Sequence, residues 1–443
     1  MGEISPEKAF AGMNLASWEV LIQEQKEKYF MDKVGFHYRV DTNHYSDKDL
    51  GLWLPRLKKL DASWVVLNAP INRAIPEGFI ATLKMEGIEP VLHFQIRPNQ
   101  NPKVEEMILL FENYQRWGVK YIILYDRPNQ QECWSSEAWA QSDLPERFLD
   151  GFLSLAEAAA AIGLMPVFPP LEPGGDYWDT TFLRGALDGI KRRASQPLQD
   201  RLILSAYARL NGRPLSWGRG GPQSWPEAQP YHTPETSQDQ QGFRIAEWYS
   251  TISETVLDKK LPLLMLGIRG PAPAGSDLQV TLVNGARLVA RQKVDGHDLL
   301  PEEVIGGAFW LLSGDSDSPE AEFSWYTPEG SPKPVVETFT RKEESLPAPK
   351  GPGEFRFSHY LLLPSFEWGV ADWHLNITRS FIKRHRPTVG FLLEEALQAE
   401  QVTVVGGEEH FSEKQITHLR NQGCLVRRID GDGTKIASQL AAI

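Results

Sequence analysis

The sequence predicts an α/β protein: a (β/α)8 or TIM barrel followed by a small, Rossmann-like α/β domain. Three observations support this. Short apolar runs alternate with amphipathic helical stretches through eight units up to residue 340. The stretch RKEESLPAPKGPGEF, 341–355, mixes charge with Pro and Gly, has no apolar period, and reads as a linker. Beyond it, 356–443 show the same alternation on a smaller scale. The expected division is therefore a barrel over 1–340, a linker over 341–355 and a small α/β domain over 356–443. A chain of 443 residues, 41% of them hydrophobic, is long enough for one large core and a second, smaller one.

The elements follow in order. VGFHYRV (34–40) is the first strand, and DLGLWLPRLKKLD the helix after it. SWVVLNAP ends the second strand at Pro70; a helix around EGFIATLKMEG leads to the third strand, EPVLHFQIRP. VEEMILLFENYQRWG is helical, and the fourth strand, KYIILYDRPN, runs straight into polar residues. LPERFLDGFLSLAEAAAAIG keeps helical spacing until Gly163 stops it before strand five, LMPVFPP. TTFLRGALDGIKRRA precedes strand six, RLILSAYARL; GFRIAEWYSTISETVLD precedes strand seven, LPLLMLGIRG. A helical stretch beginning near Asn284 leads to strand eight, PEEVIGGAFWLLSGD. Eight strands with seven or more crossover helices fit a closed barrel better than an open doubly wound sheet. In 356–443 the expected elements are the strand FSHYLLLP, helices through LNITRSFIKRH and FLLEEALQA, the strand QVTVVGG, the helix SEKQITHLRNQG and the strand CLVRRI.

Bulk properties exclude several functions. With 46 basic and 58 acidic residues the formal charge is −12, which repels phosphate backbones, so nucleic acid is not an expected partner. Cys133 and Cys424 lie far apart and form no metal-type pair, so neither a zinc site nor a disulfide framework is expected. GDGTKIA and VVGGEEHFS lack the spacing of phosphate-binding loops, and no cofactor is expected. No stretch reads as a membrane span. The first thirty residues do not read as a secretory signal, so the chain as written reads as intracellular; an excised mature fragment of a surface protein would look the same.

A barrel of this kind places chemistry on the loops after its strands. The polar insert from Asn211 to Gln241, rich in Gly, Pro, Trp and Gln, falls there after strand six, with Trp217, Trp225 and Tyr231 as candidates for stacking on a sugar ring or for loop packing. His37 and His93, near Tyr38, Arg39, Asn68 and Arg97, are expected at the barrel mouth, either hydrogen-bonding a ligand or as satisfied strand-end residues. Strand four ends in Tyr125-Asp126-Arg127-Pro128-Asn129; strand seven begins at Pro262 and runs through Gly267, Arg269 and Gly270. PPLEPGGDYWDTTFLRG, SAYARLNGRPLSWG with Tyr207, and GAFWLLSGD with Trp310 follow strands five, six and eight.

Over most of residues 34–340 these motifs resemble clan A glycoside hydrolases, whose strand four typically ends Trp-Asn-Glu-Pro-Asn and whose strand seven ends near Thr-Glu-Phe-Gly-Trp. The resemblance implies an acid/base glutamate and a nucleophilic glutamate on those tips, about 5 Å apart in retaining enzymes. Arg127 stands at the first position and Gly267 at the second. Arginine has no usable proton at neutral pH, so the resemblance implies an inherited scaffold without its chemistry: a non-catalytic barrel that binds carbohydrate, neutral or anionic, or another protein, or acts as a structural module. Arg127 either forks onto an anionic group or pairs with Asp126, Glu172 or Asp176. The alternative is a divergent glycoside hydrolase using the displaced carboxylates Asp126, Glu172 and Asp176; Glu247 reads as a helix-face charge. The ligand-binding candidates are His37, His93, Arg127, Asn129, Tyr207, Trp217 and Trp310. Separately, the segment from Val402 to Ala441 resembles the cell-wall-binding repeat of bacterial surface proteins, with a strand ending Val-Gly-Gly, then Phe-Ser, a helix and a second strand with Arg-Ile.

Overall fold

The computed structural model describes residues 34–100, 102–294, 296–340, 355–365 and 372–441. The expected linker, apart from Phe355, lies outside the described residues, as does the stretch before Val34. The chain divides into two compact units, Met1–Arg341 and Lys342–Ile443.

The first unit is a (β/α)8 barrel. Its strands are β1 (Val34–His37), β2 (Trp64–Asn68), β3 (Glu89–Phe94), β4 (Tyr121–Leu124), β5 (Met165–Val167), β6 (Leu204–Tyr207), β7 (Leu263–Ile268) and β8 (Val304–Phe309). Each is followed by a helix: α1 (Asp47–Lys59), α2 (Glu77–Met85), α3 (Val104–Arg116), α4 (Leu144–Ala161), α5 (Asp179–Arg193), α6 (Ile245–Leu257), α7 (Leu278–Val289) and α8 (Pro334–Thr340). The strands pair in parallel in the order β5-β4-β3-β2-β1-β8-β7-β6. A parallel bridge from Val167 to Ile203, with Phe168 N–H donating to Ile203 O at 2.8 Å, joins β5 to the start of β6 and completes the ring.

Alternation along the strands builds two apolar shells. Trp64, Val66, Val91, Ile123, Val167, Leu264 and Leu266 fill the barrel, while Val65, Leu67, Leu92 and Ile122 pack outward with the helices. Trp64 fits inside because its neighbour on β1 is Gly35: a Cβ there would lie 2.3 Å from the indole. On the outside, Phe148 and Phe152 of α4 meet Phe168 and Phe182, fixing α4 and α5 against the β5 tip. Helix α1 opens with a reciprocal capping box between Ser46 and Asp49, a device contributing about 1 kcal/mol.

Two of the boundaries that differ from the sequence expectation have a local cause. Helix α7 begins at Leu278 instead of near Asn284, because the Asp277 side chain caps it, accepting from Gln279 N–H at 2.7 Å. Strand β5 is only three residues long, since Phe168 and the two prolines after it already belong to the loop. No helix among the described residues is long and apolar enough to cross a membrane.

The second unit holds β9 (Phe357–Leu362), α9 (Asp372–His385), β10 (Thr388–Gly390), α10 (Leu393–Ala396), β11 (Ala399–Val405), α11 (Glu413–Asn421), β12 (Leu425–Ile429) and α12 (Gly433–Ala441). Its sheet is parallel in the order β10-β9-β11-β12. Tyr360, Leu362, Val402 and Val404 pack with Ala396, Ile416 and Leu419 from α10 and α11; Leu361, Leu363, Val405 and Ile429 pack with Phe381, Ile436 and Leu440 from α9 and α12. The sheet is thus covered on both faces, as a doubly wound α/β unit requires. Among the described residues the stretch 357–396 has the same strand-helix-strand-helix order as 399–441.

Candidate functional site at the barrel mouth

The C-terminal ends of β1–β8 bring together residues far apart in the chain. The tip of β4 is the most constrained. Tyr125 and Arg127 hold φ of 71° and 45°, a left-handed backbone that costs non-glycine residues of order 1 kcal/mol each. Three backbone bonds hold it there: Tyr125 N–H to Phe94 O at 3.0 Å, Asp126 N–H to Ile96 O at 3.3 Å and Arg127 N–H to Pro170 O at 3.0 Å. The β3 and β5 tips therefore fix how β4 presents Asp126 and Arg127.

Asp126 is the hub of the site. One carboxylate oxygen accepts from the Tyr207 hydroxyl at 2.7 Å, and the other from Arg127 Nε at 2.9 Å. Tyr207 is buried, with the Arg209 guanidinium 5.2 Å from its ring centroid. Arg209 grips Glu172 with both terminal nitrogens, the Nη2–Oε2 bond measuring 2.8 Å. Asp126, Tyr207, Arg209 and Glu172 thus form one connected chain across the tips of β4, β6 and β5. Burial lifts the Glu172 carboxyl above its ordinary range, against the pull of Arg209 and Arg127. Asp176 is separate: it is exposed at the rim and accepts from Gln131 N–H at 2.9 Å.

On the opposite side of the ring, Glu320 pairs with Arg269 and accepts from the Trp310 indole N–H at 2.6 Å. Arg39 pairs with Asp315 and, at 3.3 Å, with Asp41. Four carboxylates of the mouth, Asp126, Glu172, Glu320 and Asp315, are therefore each held by an arginine. Such pairs occupy the lone pairs of the carboxylate.

At β7, Gly267 holds φ 57°, and a Cβ built there would lie 2.7 Å from Tyr207 Cδ1. Its N–H donates to His37 Nε2 at 3.1 Å, so that nitrogen carries the lone pair. Burial, together with His93 and Arg269, pushes His37 well below its ordinary pKa, and it is neutral. His93 Nε2 lies 3.0 Å from the Tyr125 carbonyl oxygen and donates to it; burial lowers this imidazole too, against the nearby Asp126.

The seven sequence-predicted ligand residues thus differ in availability. Arg127 keeps about a third of its side chain exposed, at 36%, with a second acid, Glu132, 3.8 Å away. His37, His93 and Tyr207 form the buried floor. The His37 ring centre lies 4.7 Å, and the Arg269 guanidinium carbon 5.0 Å, from the Trp310 ring centre. Asn129 is fully buried and clamps the β5 loop, donating to Glu172 O and Tyr177 O at 2.9 Å and accepting from Glu172 N–H at 2.8 Å. Trp217 packs within the insert, under Arg213 at 4.3 Å and bonded to Asp239 at 3.0 Å, so a buried acid holds it as part of the loop. Trp225 donates to Arg219 O within the same loop, and Glu247 is tied to Arg244 and Gly220 N–H. Tyr231 stays exposed at the rim, its ring 5.2 Å from Trp178 and its hydroxyl accepting from Trp178 N–H.

Sequence reasoning overlooked Arg209, Arg269, Asp315, Glu320 and Asp179. A signal for the arginines was present: five of the eight strands, β1, β3, β4, β6 and β7, have an arginine within three residues of their ends, at positions 39, 97, 127, 209 and 269. Asp179, the first residue of α5, is fully buried. It accepts from Gly174 N–H at 3.0 Å, Gln240 Nε2 at 2.6 Å and Tyr249 OH at 3.0 Å, binding the β5 loop, the insert and α6 together. Among the described residues no group of three or more His, Cys, Asp or Glu could hold a metal ion.

No protein-family model matches the sequence, and no curated protein matches it. Solved structures similar to it include a GH128 (subgroup II) endo-beta-1,3-glucanase from Sorangium cellulosum, 15% identical over 70% of this chain and 98% of that one, TM-score 0.41. A mutated endo-beta-1,4-glucanase from Xanthomonas axonopodis pv. citri is 12% identical over 70% and 98%, TM-score 0.40. A GH113 beta-1,4-mannanase is 10% identical over 71% and 99%, TM-score 0.35.

Proposed function

We propose that residues 1–340 form a non-catalytic, glycosidase-like barrel that binds a saccharide at its mouth. The observation behind this reading is the state of the two positions that double displacement requires. At β4, an arginine tied to Asp126 stands where the acid would be. At β7, Gly267 lies against the Tyr207 ring, with no space for a side chain. The polar floor and the exposed Arg127 and Tyr231 supply hydrogen-bond donors and a stacking face, as sugar sites use them. Residues 356–443 would serve as a docking or wall-binding module.

A calorimetric panel of β-glucan, mannan and uronate-containing oligosaccharides, run beside a reducing-sugar assay, tests the barrel. The expected result is saturable binding, weakened about tenfold in Arg127→Ala, with no products. One observation favours the second reading, a divergent hydrolase: burial raises Glu172, as a general acid needs. Turnover that disappears in both Glu172→Gln and Asp126→Asn would establish that reading and overturn the first.

A further inference from the structure

On the β7–β8 side of the barrel a cavity of ≈ 150 Å³ opens between α7, α8 and the loop joining β8 to α8. Leu278 and Leu282 of α7, Phe323 and Trp325 of the loop, and Val335 of α8 form its apolar lining. Arg269 and Trp310 line it as well, so they are shared with the mouth. The Arg269 guanidinium lies 5.0 Å from the Trp310 ring centre and 5.1 Å from that of Phe323, its charge met by Glu320. That side of the cavity is already neutralised.

Lys333, the other cation of the lining, is not. Its ammonium donates to the Ala321 carbonyl oxygen, and no described Asp or Glu forms an ion pair with it. Burial lowers its proton affinity, opposed by Glu322, an acid that also lines the cavity but forms no ion pair with the ammonium. An ammonium has three hydrogens to donate, so two remain. The lining thus combines apolar surface with an ammonium that Glu322, the acid of the lining, does not pair with. A volume near 150 Å³ is also what a single six-membered ring occupies in an apolar protein cavity.

We propose that this cavity binds a small organic anion consisting of one apolar ring and a carboxylate, the ring among Leu282, Phe323 and Val335 and the carboxylate on the Lys333 ammonium. The ring leaves water, and the carboxylate forms a charge-assisted bond in a partly desolvated setting. The site is separate from the saccharide reading and does not depend on it.

The test titrates 4-fluorobenzoate and the uncharged 4-fluorobenzamide into the full chain, followed by fluorine NMR. Saturable binding of the benzoate is expected. Lys333→Met should weaken it at least tenfold and change the amide less than twofold, and Leu282→Trp, which fills the cavity, should abolish both. Leu278→Trp, at a position 39% exposed and so tolerant of a larger ring, should weaken both and keeps the test decisive where Leu282→Trp fails to fold. The absence of saturable benzoate binding, or wild-type binding in both Lys333→Met and Leu278→Trp, overturns the proposal.

Discussion

Gly267→Glu, which puts a carboxylate back at the β7 tip, is expected to destabilise the protein by about 4 kcal/mol or more and to produce no hydrolase. Three costs combine. The residue holds φ 57°, a backbone that costs a non-glycine residue roughly 1–2 kcal/mol. Its Cβ would lie 2.7 Å from Tyr207 Cδ1 and 3.1 Å from Cε1, and overpacking of this kind typically costs about 1–3 kcal/mol. The new carboxylate would also enter a buried site where His37 is neutral and already accepts the backbone N–H, and a buried charge without a partner adds further cost. Against a total stability of roughly 5–15 kcal/mol, the loss should appear in urea unfolding as a large drop in midpoint. Tyr207 can relieve the contact only by leaving Asp126, so the two positions are coupled. Tyr207→Ala in the Gly267→Glu background should recover the contact part and leave the backbone part, a coupling that a double-mutant cycle measures. A Gly267→Glu protein as stable as wild type would show that the β7 tip is not constrained in this way.

The barrel and its mouth were unequally legible in the sequence, for physical reasons. The order of β1–β8 could be read because each strand is an apolar run bounded by a helix of period 3.6, a local property. Strand β10 could not: it is a three-residue edge strand, Thr388–Gly390, whose pairing with β9 supplies what its own sequence lacks. The Asp126–Arg127 pair was visible because the two residues are adjacent. Glu172–Arg209 and Arg269–Glu320 were not, because their partners sit 37 and 51 residues apart on different loops that only barrel closure brings together. The recurrence of arginine just past the strands was nevertheless written in the chain, and three of these arginines, Arg39, Arg209 and Arg269, meet acids of other loops. The structural bonds of Asn129 were not legible either: its place after Pro128 suggests a ligand contact, while its buried side chain makes three hydrogen bonds to the backbone of the β5 loop.

Asp179 gives a prediction that separates electrostatics from packing. Burial, opposed by hydrogen bonds from Gly174, Gln240 and Tyr249, raises its carboxyl from the ordinary 3.8 to about 6. Below pH 3.8 the group is protonated both folded and unfolded. Between 3.8 and about 6 the unfolded chain releases the proton while the folded one keeps it, so its contribution to stability falls as pH rises; above that range it is constant. The rise corresponds to about 3 kcal/mol, at 1.36 kcal/mol per pH unit. Carboxylates whose pKa is depressed, such as Asp41, where bonds from Asn43, His44 and Arg39 outweigh burial, act in the opposite sense, so the whole-protein profile does not isolate the effect. Asp179→Asn does. Its amide oxygen can still accept from Gly174 and Gln240 while its amide nitrogen donates to the Tyr249 oxygen, and it does not titrate. The stability of Asp179→Asn relative to wild type, measured by urea unfolding, is therefore expected to rise by about 2 kcal/mol between pH 4 and pH 7, the rest of the rise lying below pH 4. Asp179→Ala, which leaves all three donors without an acceptor, should be less stable than Asp179→Asn at every pH by at least about 2 kcal/mol. A relative stability of Asp179→Asn that stays flat across that range would mean that the carboxylate is ionised in the folded protein at pH 4, and that its three donors outweigh its burial.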